Sequence, residues 1–364
     1  MMTTASLTTQ LQARIAQEIA LDGGWIGFDR FMAMALYTPG LGYYANDLRK
    51  FGAMPSSGSD FVTAPGVTPL FGQTLAVQLA QALELTQTDE VWEFGAGSGA
   101  LALQLLEALG DKLSRYTIVD VSSTLRERQM EALSAHAGKM RWVSELPAAM
   151  RGVIVGNEVL DAMPVTLLAR LSGAWHERGV ALQQDALVWA DRPTDLRPPI
   201  EVQGTHDYLT EIHPQPEAFI RTLAERLTQG AAFFLDYGFP ESEYYHPQRH
   251  MGTVMCHRAH LADGDPLSDV GLKDITAHVN FSGIALAAQD AGFEVAGYTS
   301  QARFLINCGL VPLLEVASLA ERTQAQRLVH EHEMGELFKV IALVKNARPG
   351  ALVGFAQGDR THTL

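Results

Sequence analysis

"VWEFGAGSGALALQLL", residues 91–106, is the stretch on which the fold turns. Val91 to Phe94 suits a short buried strand, Leu101 to Ala108 repeats apolar residues at helical spacing, and Gly95, Gly97 and Gly99 lie between them. Strand, glycine loop and helix in that order make a ligand cradle. Missing side chains let the backbone approach a ligand, and the helix start leaves N–H donors without intrahelical partners. With Ala100 the run also satisfies the G-x-G-x-x-G/A fingerprint of dinucleotide enzymes, and Asp120 lies near the ~20-residue offset of a ribose-binding acid. Glu93 separates the two ligand classes. A pyrophosphate seated here would meet a carboxylate, and like charges ~4 Å apart at an effective dielectric of about 20 repel by roughly 4 kcal/mol. The sulfonium and ammonium groups of S-adenosyl-L-methionine would be attracted instead. The loop therefore predicts a cationic ligand, with Asp120 accepting from both ribose hydroxyls. A nicotinamide-dependent oxidoreductase is the competing reading, and helix capping is the alternative use of Asp120.

Outward from this loop, "YTIVDV" (116–121), a helix over Ser123 to His136, "RWV" (141–143) and "GVIVGNE" (152–158) alternate strand and helix, as in a parallel doubly wound α/β sheet. Upstream, helices are predicted over Thr9 to Asp22, Phe28 to Tyr37 and Pro69 to Leu85. From Pro164 to Pro199 short runs between turn residues predict inserted antiparallel hairpins. Alternation resumes with a helix over Glu217 to Leu227 and the strand "AAFFLDYG" (231–238). The loop-rich segment Phe239 to His278 is long enough for a lid. A helix over Gly283 to Ala291, the strand "FEVAGYTS" (293–300), helices within Gln301 to Glu333 and the strand "LFKVIALVK" (337–345) complete the core. The expected organisation is an N-terminal helical region (1–88), half of the core (89–163), an antiparallel insertion (164–213), further core (214–238), a lid-like insertion (239–279), core completion (280–347) and a mobile tail (348–364).

With 364 residues, 47% of them hydrophobic, the chain can bury a large core. A formal charge of −14 disfavours a phosphate backbone, so no nucleic-acid partner is expected. No apolar run reaches the ~20 residues of a membrane span, and "MMTTASLTTQLQARIAQEIA" lacks the solid apolar block of a signal peptide. The expectation is a soluble cytoplasmic protein without a membrane partner. Cys256 and Cys308 are the only cysteines, which predicts reduced thiols. The apolar complement outside the sheet suits a homodimer surface or a substrate groove.

The pattern resembles the MidA/NDUFAF7-like (DUF185) family from about Phe31 to Val344. "YYA" (43–45), "SDFVTAP" (59–65), "LFGQTLA" (70–76), "WEFGAGSGALA" (92–102), "VDVSSTLRERQ" (119–129), "GNEVLDAMPV" (156–165), "LDYG" (235–238), "TAHVNF" (276–281) and "MGELFKVIAL" (334–343) occur in order with suitable spacing. The resemblance implies a class I S-adenosylmethionine-dependent methyltransferase fold: a Rossmann-like seven-stranded sheet with its last strand antiparallel, an N-terminal helical extension, and inserted hairpin and lid segments. It implies S-adenosyl-L-methionine as methyl donor and, for mitochondrial members, an arginine in a respiratory-chain subunit as acceptor. It further implies donor-site roles for Asp60, Thr63, Pro65, Glu93, Gly95, Ala96, Gly97, Gly99, Asp120, Val121, Asn157 and Glu158. Ser59, Gly66 and Asn280 depart from the family's usual Gly, Glu and Asp.

Ligands of open α/β sheets bind beyond the carboxyl ends of the strands, where "GNEVLDAMP" leaves its strand. Asn157, Glu158 and Asp161 are therefore expected to hold the donor or face the acceptor. A guanidinium is a poor nucleophile until carboxylates hold its N–H groups and localise its charge. Glu158 is the first candidate for that clamp and Asp161 the second; the alternative is that Asp161 caps a turn and Glu158 binds structural partners. His246 and His250 form one H-x3-H pair, but Pro247 between them spoils a helix interior and Cys256, His257 and His260 supply no second pair of comparable regularity, so no metal is expected. His278 is expected to line the acceptor site as a hydrogen-bonding wall. A non-catalytic assembly factor that binds the same donor is the remaining alternative.

Overall fold

In the computed structural model the chain is described over residues 4–46, 63–120, 122–347 and 350–364. It packs as two units, one of residues 62–160, 218–238 and 281–364, the other of residues 1–61, 161–217 and 239–280.

The first unit holds the sheet expected around the glycine loop. Its strands are β1 (Glu90–Phe94), β2 (Arg115–Val119), β3 (Met140–Val143), β4 (Met150–Asn157), β5 (Leu227–Phe239), β6 (Glu294–Ser300) and β7 (Phe338–Lys345). They lie in the order β6-β7-β5-β4-β1-β2-β3. Neighbours from β5 to β3 are parallel, and β7 runs antiparallel to both β5 and β6. These seven strands have the arrangement of the class I methyltransferase fold, and a short eighth strand, Val279–Asn280, pairs with β5 off this path. The middle strands read as continuous apolar runs because both faces are covered. On one face Val91, Ile118, Val155, Phe233 and Val340 pack with Leu75 and Leu79 of helix Leu70–Thr86 and with Leu101 and Leu105 of helix Ala100–Leu109. On the other, Phe219 meets Phe94 and Phe234 edge-on at 5.2 and 6.0 Å.

Two expectations are corrected in this unit. The helix after β2 ends at Ala132 and gives way to a 3-10 stretch, Ser134–Lys139, where Ser134 and Gly138 favour helix weakly. The tail was expected to be mobile, yet residues 350–364 are packed. Leu352 and Phe355 are buried in the sheet's core, and Gly297 leaves the space that the Phe355 ring fills. Arg360 N donates to Tyr298 O at 2.6 Å and Thr299 Oγ1 to Gly358 O at 2.7 Å. The tail thus lies along β6, the end strand of the sheet order, and engages main-chain groups that an edge would leave open.

The second unit is built on helices Thr4–Leu21 and Phe28–Tyr37 and on an antiparallel sheet. Leu7, Leu11, Ile15 and Ile19 recur every four residues and bury one helix stripe. The hairpins expected over 164–199 are present as strands Thr166–Leu171, Ala174–Gln183 and Ala186–Pro193, joined by Trp25–Gly27 and Tyr208–Ile212. The 239–279 segment is more ordered than its loop-rich composition predicts. Met255–Arg258, Leu261–Asp263 and Asp274–Thr276 form a three-stranded sheet of their own, and Cys256, Ile275 and Ala277 enter the core of this unit.

Candidate active site

Strand register brings the first set of expected residues to one level. Phe94 pairs with Val119 and with Gly156, so Gly95, Asp120 and Asn157 are the next residues out at the carboxyl edge of β1, β2 and β4. Gly95, Gly97 and Gly99 all have left-handed backbone, with φ of 65°, 51° and 83°. Gly95 is doubly required, because a Cβ there would come within 2.8 Å of Val159 Cγ2. Ala96 is buried, and its carbonyl accepts from Gly99 N at 2.8 Å, which closes the loop.

Glu93 is buried rather than exposed at the mouth of the loop. It shares a strand face with Val91, which belongs to the core, and it is 2% exposed. Its Oε2 accepts from Tyr116 Oη at 2.7 Å. Burial raises its pKa from the usual 4.5 to about 8, with Asp120 adding to the shift and the Tyr116 hydrogen bond opposing it. Burial therefore disfavours the charged form of Glu93, whose carboxyl faces Tyr116 inside the covered face of the sheet. Asp120 is half-buried. Its Oδ1 accepts from Ser122 N at 2.8 Å and its Oδ2 from Gln129 Nε2 at 2.9 Å. The helix cap itself is Ser122, whose side chain accepts from Leu125 N. Burial raises the pKa of Asp120, against these hydrogen bonds.

The edge of β4 is held from β5. Asp236, 1% exposed, accepts from Val159 N at 3.0 Å and Leu160 N at 2.8 Å through Oδ2, and from Tyr237 N at 3.1 Å through Oδ1. Glu158 N donates to Leu235 O at 2.9 Å. The chain leaves β4 through Glu158 with φ of 54°, a left-handed conformation that a side chain with a Cβ rarely adopts. Asn157 Nδ2 donates to Glu158 Oε1 at 2.9 Å, while Asn157 Oδ1 is buried and has no hydrogen-bond partner among the described residues.

Thr63 is the N-cap of the short helix Ala64–Val67, and Pro65 lies in its first turn. Gln104 fastens it to the helix after the glycine loop, donating to Pro65 O at 2.8 Å and accepting from Gly72 N at 2.9 Å. Asp60 and Val121 lie outside the described residues.

Asp161 and His278 belong to the second unit. Asp161 is buried and its carbonyl accepts from Ala277 N at 2.9 Å. Around it are Tyr37, which donates to Ala162 O at 2.8 Å, and Tyr44, which donates to Asp274 Oδ2 at 2.8 Å. Their rings stack at 5.7 Å, and burial first, then the charges of Asp274 and Asp161, holds both phenols protonated. His278 lies with its ring 5.3 Å from that of Phe239, and its carbonyl accepts from His213 Nε2 at 3.0 Å. Burial pushes His213 down to about 4, so at neutral pH it is an uncharged donor. Asn280, where the family usually has Asp, donates through Nδ2 to Glu241 Oε1 at 3.4 Å, a contact that an ionised Asp would turn into repulsion. Among the described residues no three His, Cys, Asp or Glu side chains are grouped to hold a metal ion.

Sequence reasoning did not single out Gln129, Asp236, Gln104, Tyr116 or His213. Gln129 and Asp236 fall inside quoted motifs, and each is a polar residue in an otherwise apolar helix face or strand, a pattern that signals burial with partners.

Residues 74–299 match the family model described as S-adenosyl-L-methionine-dependent methyltransferase. The chain belongs to this methyltransferase family. A crystal structure of a superfamily member from Burkholderia thailandensis, bound to S-adenosyl-homocysteine, is 49% identical, covers 99% of this chain and 98% of its own, and superposes with a TM-score of 0.95. A native crystal structure from the same organism is 47% identical, with a TM-score of 0.90 and the same coverage. Protein arginine methyltransferase NDUFAF7, mitochondrial, is 25% identical over 94% of this chain and 89% of its own in Danio rerio, and 26% identical over 89% and 81% in Homo sapiens. The family decides between the two ligands left open by the glycine loop: the protein is an S-adenosylmethionine-dependent methyltransferase. Its residues fit that donor, since the left-handed glycines leave a cradle without side chains and Asn157 Oδ1 offers a buried acceptor at the same edge.

Proposed function

We propose that this methyltransferase acts on an arginine of a protein. In this reading Gly95, Ala96, Gly97 and Gly99 seat the donor, Asp120 accepts from its ribose, and Asn157 accepts from its ammonium. Thr63 and Pro65 border the same site. Bound S-adenosylmethionine supplies an electrophilic methyl group, which the chain has only to align with a lone pair; well-placed groups can contribute effective molarities up to ~10⁸ M. Glu158 holds the guanidinium N–H groups and localises the charge.

The observation that carries the proposal is the left-handed backbone of Glu158 (φ 54°). Such a conformation costs of order 1–3 kcal/mol and persists where its surroundings over-determine it, often at functional sites. Here it accompanies a carboxylate whose oxygen is already directed by Asn157. The names of the mitochondrial relatives, which match 89–94% of this chain, support arginine as acceptor.

The test is incubation of the purified protein with methyl-labelled S-adenosylmethionine and lysate of its native host, followed by mapping of the label. Label on arginine is the expected result; label on RNA or on a small molecule overturns the acceptor assignment. Glu158→Gln should lower turnover at least about a hundredfold with donor affinity unchanged, as for loss of a group used in the transition state. A binding factor without chemistry would show no turnover to lose. Cytoplasmic residence and a homodimer complete the proposal, checked by cell fractionation and sedimentation; among the described residues no helix is long and apolar enough to cross a membrane.

A further inference from the structure

Gln129 is fully buried in helix Ser123–Ala132 and makes three hydrogen bonds to three different parts of the first unit. Its Nε2 donates to Gly97 O of the glycine loop at 3.1 Å and to Asp120 Oδ2 at the end of β2 at 2.9 Å. Its Oε1 accepts from Trp142 Nε1 on β3 at 3.0 Å. A carbonyl and an ionised carboxylate can only accept, and an indole N–H can only donate, so one orientation of the amide satisfies all three and the flipped one satisfies none. The helix also packs against the loop, with Gln129 Cγ 3.6 Å from where a Cβ on Gly99 would lie.

We infer that Gln129 is a positioning residue for the donor site: it ties the glycine loop to the ribose acid and fixes the rotation of the Asp120 carboxylate. This rests on the reading of Asp120 as the ribose acceptor. Ser122 N occupies one side of Oδ1 and Gln129 one side of Oδ2, so the plane of the carboxylate is set from both ends and its remaining lone pairs are presented in a defined direction. Without Gln129 the carboxylate is held at Oδ1 alone, and the loop loses its bond at Gly97. The amide thus acts on ribose recognition through Asp120 and on the methionine end through the loop, without touching the donor itself. No charge is needed for this. A glutamine serves where a lysine would neutralise the acid and a glutamate would repel it.

The test measures the dissociation constants of S-adenosylhomocysteine and of its 2′-deoxyribose analogue by titration calorimetry, for the wild type, Gln129→Met, Gln129→Glu and Asp120→Asn. The wild type should prefer the ribose compound by about tenfold, the scale of one hydrogen bond to a charged group. Gln129→Met, similar in length but without donors, should weaken S-adenosylhomocysteine by about tenfold and bring the preference close to unity. Gln129→Glu should be weaker still, because its carboxylate faces those of Asp120 and the Gly97 carbonyl. A merely structural role would weaken both compounds equally, so a preference retained in Gln129→Met overturns the inference. If Asp120→Asn abolishes the preference in that case, the ribose reading stands and only the role of Gln129 falls. If Asp120→Asn keeps it, the ribose reading falls as well. Should Gln129→Met fail to fold, Trp142→Phe carries the test, since it removes the donor that orients the amide; an undiminished preference there overturns the inference.

Discussion

The carboxyl edge of the sheet is built in two different ways within a few strands. Beside β1, the loop that starts at Gly95 is shaped by what is missing: three glycines take left-handed backbone, and only Gln129 crosses to them with a polar side chain among the hydrogen bonds described above. Beside β4, the turn that starts at Glu158 uses left-handed backbone without glycine and is held by Asp236, 77 residues further along the chain from Val159. The first kind of edge is made by local permissiveness, the second by a long-range polar anchor that offsets local strain. The two buried acids differ in the same way. Asp236 receives three backbone N–H groups, whereas Glu93 accepts from one phenol and is pushed up to about 8.

The sharpest test of that difference is Asp236→Ala. It leaves the Val159, Leu160 and Tyr237 N–H groups without their acceptor, and the expected cost is about 3 kcal/mol of stability together with loss of turnover, read by urea denaturation and methyl transfer. Retained activity would mean that the turn after β4 is self-supporting.

Glu93 is expected to give the next largest effect, and to give it as a function of pH. Its folded pKa is raised, so the folded state binds the extra proton between about pH 4.5 and 8. Its stabilising contribution is complete below about pH 4.5 and is lost as pH rises through about 8. Glu93→Gln should therefore gain stability relative to the wild type as pH rises from about 4.5 to 8, and show no such gain near pH 4.5. A difference between the two proteins that stays flat across denaturation curves from pH 4.5 to 8.5 would show that the acid is ionised in place.

Gly95→Ala should cost ~2 kcal/mol and weaken S-adenosylhomocysteine binding, because the added methyl meets both a positive φ and Val159. Adding Val159→Ala should recover the steric part and leave the backbone part. The smallest change runs the other way. Glu158→Gly should raise stability by ~1 kcal/mol while abolishing turnover, since glycine relieves the left-handed strain that the glutamate carries. If it instead destabilises the fold, the carboxylate of Glu158 is a structural anchor and the acceptor clamp lies elsewhere.

Much of the fold was legible. The alternation from Val91 to Glu158 predicted a parallel sheet, the helix over Phe28 to Tyr37 was delimited by its apolar pattern, and the turn-rich run after Pro164 was read as hairpins. The ordered tail was not legible, because its anchors, Leu352 and Phe355, are isolated apolar residues in a polar run, and their burial depends on a gap at Gly297. At the site, the glycines could be read from sequence since their requirement is local. The orientation of Glu93 could not: both faces of β1 are covered, so strand alternation does not say which side chain meets the loop and which meets Tyr116.

Sequence by itself determined the layering of the molecule, the position of the glycine loop between strand and helix, and membership of the family, since periodicity, backbone permissiveness and ordered motifs are all carried along one chain. Only the tertiary structure decided which polar side chains hold the site. Gln129 joins a loop, a strand end and an indole from three separate segments, and Asp236 anchors a turn far away in sequence. Hydrogen-bond partners are chosen by distance and direction in space, and those come into existence only when the strands have paired in register.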